Sequence, residues 1–117
     1  GFLFFGGLFT IAHDAYEVFL DSAGFSISSI LKDSDFLIPI VHAEADYYIP
    51  VSVSERITVQ LQIENIAETS FSIIYDIINE MGKIIAHAKT VHAIIDKQNK
   101  SKMKIPDNLL TALNKFK

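Results

Sequence analysis

The sequence contains no cysteine. That absence removes disulfide staples, thiolate nucleophiles and cysteine-ligated metal together, and it suits a reducing cytoplasm. Basic side chains are scarce over most of the chain: residues 1–96 carry 4 against 13 acidic ones, whereas residues 97–117 carry 6 against 1. An acidic body of this kind does not line a nucleic-acid groove, so no nucleic-acid partner is expected. Long hydrophobic runs are also lacking. The longest, Gly1 to Ala12, holds three glycines and gives way to His13-Asp14, too short and too soon polar to span a bilayer. No initiator methionine, basic leader or small-residue cleavage site marks it as a signal peptide, and its bare apolar start predicts residues missing upstream of Gly1.

What is present is a chain of 117 residues, 50% apolar and 21% charged, a balance that predicts one folded domain over residues 1–117 rather than disorder or two domains. From about Leu8 to Ala23 the apolar positions Ile11, Ala12, Ala15, Val18 and Phe19 recur at spacings of three and four, and Gly24 stands where a C-cap glycine would; this predicts one long helix. His13, Asp14, Glu17 and Asp21 fall largely on its other side, the ordinary place for a solvated face. Residues 25–36 read as a connecting segment.

Four strands follow. Leu37 to Tyr48 carries His42, Glu44 and Asp46 on one face and lies between Pro39 and Pro50, which predicts an edge strand or one that pairs outside the chain. Arg56 to Glu64 alternates Ile57, Val59, Leu61 and Ile63 with polar neighbours, the pattern of a strand with one wet face. Ser70 to Ile78 and Ile84 to Ile95 are joined by Glu80-Met81-Gly82-Lys83 as a hairpin turn. After a lysine-rich loop, Ile105-Pro106-Asp107 opens a short helix through Phe116. A helix followed by a largely antiparallel sheet is an α+β pattern in which the helix lies on one sheet face.

The residues alone give no complete active site: serine, histidine and acid occur without a nucleophile elbow, a phosphate loop or spaced metal ligands. His42 and Glu44 would share a strand face, whereas His87 and His92, an odd number apart, would take opposite faces. No metal site is expected.

Order and wording carry further. Gly1-Phe-Leu-Phe-Phe-Gly-Gly-Leu-Phe-Thr-Ile-Ala-His-Asp-Ala-Tyr-Glu17 resembles the segment that follows Asp-Thr-Asp-Ala-Ala in the 4-hydroxybenzoyl-CoA thioesterase family. The likeness continues through Leu37 to Pro50, Ser70 to Tyr75, Thr90 to Asp96 and Lys104-Ile-Pro106, and so covers nearly the whole chain. His13-Asp-Ala-Tyr-Glu17 with Pro39-Ile-Val-His42 is most similar to the 1,4-dihydroxy-2-naphthoyl-CoA hydrolases. The resemblance implies a hotdog fold, a long helix packed on an antiparallel sheet, with the first strand absent from this chain. It implies hydrolysis of an aromatic acyl-CoA, with coenzyme A as part of the substrate and no separate cofactor, in a homodimer or homotetramer with active sites at the subunit seam. A fatty or short-chain acyl-CoA thioesterase of the same fold, or a non-catalytic hotdog module that binds acyl-CoA or a partner, is the alternative.

In such a mechanism an aspartate assists attack on the thioester carbonyl while a helix N-terminus polarises its oxygen; by position, Phe5 would offer the backbone N–H. The family's aspartate falls three residues before the position matched by Gly1, so the chain as written is expected to be weak or inactive. A second branch of hotdog enzymes carries its acid on the helix after His-Gly-Gly. Here Gly6-Gly7 follow Phe5 instead of histidine, and Asp14 falls at the helical acid's position. For the ligand, Lys97, Lys100, Lys102 and Lys104 suit the phosphates of coenzyme A, and Tyr47, Tyr48 and Phe71 would wall an aromatic acyl pocket.

Overall fold

A computed structural model describes residues 5–22, 24, 35–49 and 56–117, with the side chains of residues 5–10 excepted. Helix α1 spans Phe5–Ser22. It ends where Ser22 Oγ donates to the Phe19 carbonyl and Gly24 adopts φ +87°, the left-handed conformation that a C-terminal glycine takes without strain. Ala12, Tyr16, Phe19 and Leu20 are buried, a stripe at spacings of three and four. His13, Asp14, Glu17 and Asp21 form the expected exposed face. Val18 departs from expectation: it is 68% exposed, because two residues from Tyr16 is about 200° around a helix.

Six strands occur among the described residues rather than four. Strand β1 (Phe36–Leu37) and β2 (Ile40–Tyr47) replace the single strand expected from Leu37 to Tyr48, the interruption falling at Ile38-Pro39, where proline withholds a backbone donor. The next strands are β3 (Thr58–Ile66), β4 (Ser70–Ile78) and β5 (Ile84–Ala93). The long strand expected to reach Ile95 breaks at buried Ile94, and β6 (Ile95–Asp96) pairs with β1. The four longer strands form one antiparallel sheet in the order β2-β5-β4-β3. Gly82, at φ +82°, sits in the β4–β5 hairpin turn. The C-terminal helix, α2 (Asp107–Asn114), is shorter than expected; Phe116 lies beyond it, edge-on to Phe19 at 4.9 Å.

The sheet has a wet face and a dry one, as period-two alternation requires. Phe71, Ile73, Tyr75 and Ile77 of β4 form the centre of the core, under α1. Beside two of them the inner positions of β5 are small: Tyr75 pairs with Ala88, itself paired with Ala45, and Ile77 pairs with Ala86. Large residues on one strand beside alanines on its neighbour make the inner floor uneven.

Candidate functional site

A cavity of about 110 Å³ lies between α1 and β2, lined by His13, Tyr16, Ile40, Ala43, Tyr75 and Thr90. Helix and strand position its lining for simple reasons. His13 and Tyr16 are three apart on α1 and so neighbours on its surface. Ile40 and Ala43 belong to the inner face of β2 because a bulge between Ile40 and His42 shifts the register by one. His13 Nε2 lies 2.9 Å from Glu17 Oε1, one turn along the helix.

Behind the cavity runs a buried polar chain. Tyr75 Oη and Thr90 Oγ1 are 3.1 Å apart, and Thr90 Oγ1 lies 2.7 Å from His92 Nε2. The His92 ring is sandwiched between Phe71, parallel at 5.0 Å, and Tyr16 at 4.3 Å. Two polar atoms here have no hydrogen-bond partner among the described residues, Tyr16 Oη and His92 Nδ1. Burial, helped by the nearby charge of His13, holds the His92 imidazole down at about 3, so it is neutral at every ordinary pH. Burial also pushes the Tyr75 phenol up to about 12, against the opposing effect of its Thr90 hydrogen bond, and raises that of Tyr16 further.

The opposite sheet face is a lattice of charges. His42, Glu44 and Asp46 share it, as alternation predicts, facing Val91, Lys89 and His87 of β5. His87 Nδ1 meets Asp76 Oδ1 at 2.8 Å, and Lys89 Nζ meets Glu64 Oε1 at 2.9 Å. Hydrogen bonds from Lys89 and Ser72 hold the Glu64 carboxyl below its usual value. His87 and His92 do take opposite faces. No three histidine or carboxylate side chains converge as metal ligands, and no helix is long and apolar enough to cross a membrane, among the described residues.

A third region is the lysine loop after β6. Asp96 Oδ1 accepts the backbone N–H groups of Gln98 and Asn99, and Asn99 Oδ1 accepts that of Ser101. These side-chain caps fold the loop tightly, with Lys100 at φ 63°. Lys97 and Lys100 sit on this turn, whereas Lys102 lies on the returning segment, bridged to Ile95, and Lys104 follows it towards α2. Lys100 Nζ donates to the Lys97 carbonyl, and Lys104 makes a loose surface pair with Glu68 at 3.7 Å.

The remaining expected site residues are scattered. Phe5 lies in the first described turn of α1. Asp14 is exposed on α1 and does not line the cavity; its neighbour His13 does. Tyr47 packs half-buried against the core and Tyr48 is exposed, as successive strand residues must be. Phe71 is a core ring stacked on His92, and it does not line this cavity. Sequence reasoning missed Tyr16, Thr90 and His92 as a group. The signal was available: Thr90 and His92 are two apart on a strand and share a face, and Tyr16 is one turn from Ala12 on the buried stripe.

Residues 5–113 match the model of the thioesterase-like superfamily. The 1,4-dihydroxy-2-naphthoyl-CoA hydrolase of Rippkaea orientalis is 34% identical over 112 residues, covering 94% of this chain and 81% of the relative. That of Crocosphaera subtropica is 39% identical over 98 residues, covering 82% and 72%. The crystal structure of a 1,4-dihydroxy-2-naphthoyl-CoA thioesterase from Synechocystis superposes with a TM-score of 0.91 at 30% identity, over 97% of this chain and 84% of that one. The helix-on-sheet architecture is thus the hotdog arrangement of these thioesterases.

Proposed function

The chain belongs to the thioesterase-like superfamily, and on that premise we propose that it hydrolyses an acyl-CoA thioester whose acyl group is aromatic, with 1,4-dihydroxy-2-naphthoyl-CoA as the first candidate. The observation that carries this reading is similarity to 1,4-dihydroxy-2-naphthoyl-CoA hydrolases along 94% of the chain. The cavity between α1 and β2, with ring and hydrocarbon walls, supports an aromatic guest.

In the proposed reaction, water adds to the thioester carbonyl carbon with a carboxylate's help, the C–S bond breaks, and coenzyme A leaves as its thiol. The carbonyl oxygen is polarised by free N–H groups in the first turn of α1, that of Phe5 among them. Ammonium groups at Lys97, Lys100, Lys102 and Lys104 meet the phosphates of coenzyme A, and Tyr47, on the core side of β2, flanks the acyl group, while Tyr48, exposed on the other side, does not. No cofactor is needed beyond the coenzyme A of the substrate, and the cysteine-free composition fits the cytoplasm.

Thiol release from 1,4-dihydroxy-2-naphthoyl-CoA, with benzoyl-CoA and palmitoyl-CoA beside it, tests the reading directly. Preference for the aromatic thioesters is the expected result. Preference for palmitoyl-CoA would move the chain to the fatty acyl-CoA alternative, and tight binding without thiol release from any of the three would make it a binding module.

We place the active unit in a homo-oligomer, at minimum a homodimer. Strand β2 is a sheet edge eight residues long without a lysine, and Ile40 and Val41 on it are 46% and 60% exposed. Such an edge invites pairing with a second copy. Sedimentation at micromolar concentration is expected to give at least twice the 13.1 kDa chain mass, and Val41→Lys is expected to return the protein to monomer. A wild-type monomer under those conditions would overturn the assembly.

A further inference from the structure

The cavity between α1 and β2 is walled almost entirely by apolar atoms. Two of its lining residues spend their hydroxyls on one another, Tyr75 Oη lying 3.1 Å from Thr90 Oγ1, and the Tyr16 hydroxyl oxygen is buried. A hydroxyl or carboxylate pushed into this space would lose its water and find no partner. What enters is therefore the hydrocarbon end of a guest. Size narrows the choice further. At about 110 Å³ the cavity is smaller than the ~150 Å³ space that accepts benzene in an engineered core, so it takes the outer edge of a fused ring rather than a whole separate ring.

Alanine at position 43 keeps this space open. Ala43 shares the inner face of β2 with Ala45 and Tyr47, which pack against the core. Its cross-strand partner is Thr90, another of the lining residues. A longer side chain at this position would occupy the cavity. Nothing else in the fold asks for alanine: the residue is exposed, so core packing does not limit its size, and strands favour β-branched or aromatic residues over alanine.

We propose that Ala43 sets acyl specificity by size. It leaves room for the second, unsubstituted ring of a bicyclic aromatic acyl group, while the hydroxyl-bearing ring and the thioester stay outside the cavity. This rests on the aromatic acyl-CoA reading above and narrows its substrate class to bicyclic acyl groups. Ala43 is assigned no part in breaking the thioester.

The test uses two product acids that differ only by that ring, 1,4-dihydroxy-2-naphthoate and 2,5-dihydroxybenzoate. Their binding to the full chain and to Ala43→Val, Ala43→Leu and Glu44→Leu is measured by calorimetry. Wild type is expected to bind the bicyclic acid about 10–100-fold more tightly, the usual return for burying a few more apolar carbons. Ala43→Val is expected to shrink that preference. Ala43→Leu is expected to bring the two affinities within about threefold by weakening the bicyclic acid alone. Glu44→Leu, which places leucine on the opposite face of the same strand, is expected to keep the wild-type preference. An unchanged preference in Ala43→Leu, equal weakening of both acids by it, loss of preference in Glu44→Leu as well, or a wild type that binds neither acid would each overturn the assignment. Because the readout needs no turnover, a chain that binds with this preference yet releases no thiol would refute the hydrolase reading and leave the role of Ala43 standing. Thiol release by a wild type whose preference survives Ala43→Leu would do the reverse.

Discussion

Acidification from pH 7 to pH 5 is expected to remove about 2 kcal/mol of folding stability through His92 alone. In the unfolded chain this imidazole takes up a proton as the pH falls through 6.5, whereas in the folded protein it stays neutral until about pH 3. Between those limits the unfolded state binds more protons, so stability is fully present above pH 6.5 and drains away as the pH falls towards 3. The complete loss is on the order of 5 kcal/mol, comparable with the whole stability of a small domain. The physical cause is burial: the ring lies between Tyr16 and Phe71 with one nitrogen on Thr90 and the other unpaired, so a charge there would have no partner. Urea unfolding at pH 7, 5 and 4 on wild type and His92→Phe checks it. The variant keeps a ring in the stack, leaves Thr90 its bond to Tyr75, and should lose about 2 kcal/mol less than wild type between pH 7 and 5. Parallel losses in the two proteins would remove His92 from the account. At the alkaline end the sign reverses: the raised phenols of Tyr75 and Tyr16 hold their protons when folded, so stability falls as the pH climbs above 10.

This histidine also shows where sequence reading stops. Its strand face followed from counting residues, since alternation is local geometry; the same rule gave the outer row of His42, Glu44 and Asp46, and the polar and apolar faces of β3. What counting could not supply was depth. Whether an inward residue is a core ring or a cavity wall depends on its cross-strand partner and on the helix above it. Phe71 pairs with His92 and is sealed in the core, while Thr90, one inward position away, borders a cavity. The breaks at Pro39 and Ile94, which turned two expected strands into four, were half legible. Proline announces the first, but the second follows from long-range bonds: the Ile94 N–H donates to Thr69, and its carbonyl accepts from Met103. Val18 was misplaced because Tyr16, which sets the buried stripe, was left out of the apolar count.

Asp14 tests which arrangement supplies the catalytic carboxylate. If α1 carries it, Asp14→Asn lowers kcat for aromatic acyl-CoA by about 10²–10⁴-fold, the usual penalty for losing a general base or nucleophile. Geometry adds a condition to that arrangement. Phe5 and Asp14 are nine residues apart on one helix, which at 1.5 Å per residue is about 13 Å along the axis, whereas the attacking water must come within about 3.5 Å of the carbon whose oxygen the helix terminus holds, with its base one hydrogen bond, about 3 Å, behind it. One chain therefore cannot apply both groups to the same carbonyl. The carboxylate must come from a second copy, and the exposure of Asp14 in the isolated chain is what such sharing would look like. Two results then have to agree: Asp14→Asn abolishes turnover while the oligomer stays intact, and Val41→Lys abolishes turnover while leaving Asp14 in place. If kcat is unchanged in Asp14→Asn, the carboxylate lies elsewhere, and the helical acid is removed from the mechanism. If Asp14→Asn is inactive but Val41→Lys works fully as a monomer, the distance argument fails, and the first turn of α1 cannot be the group that polarises the carbonyl.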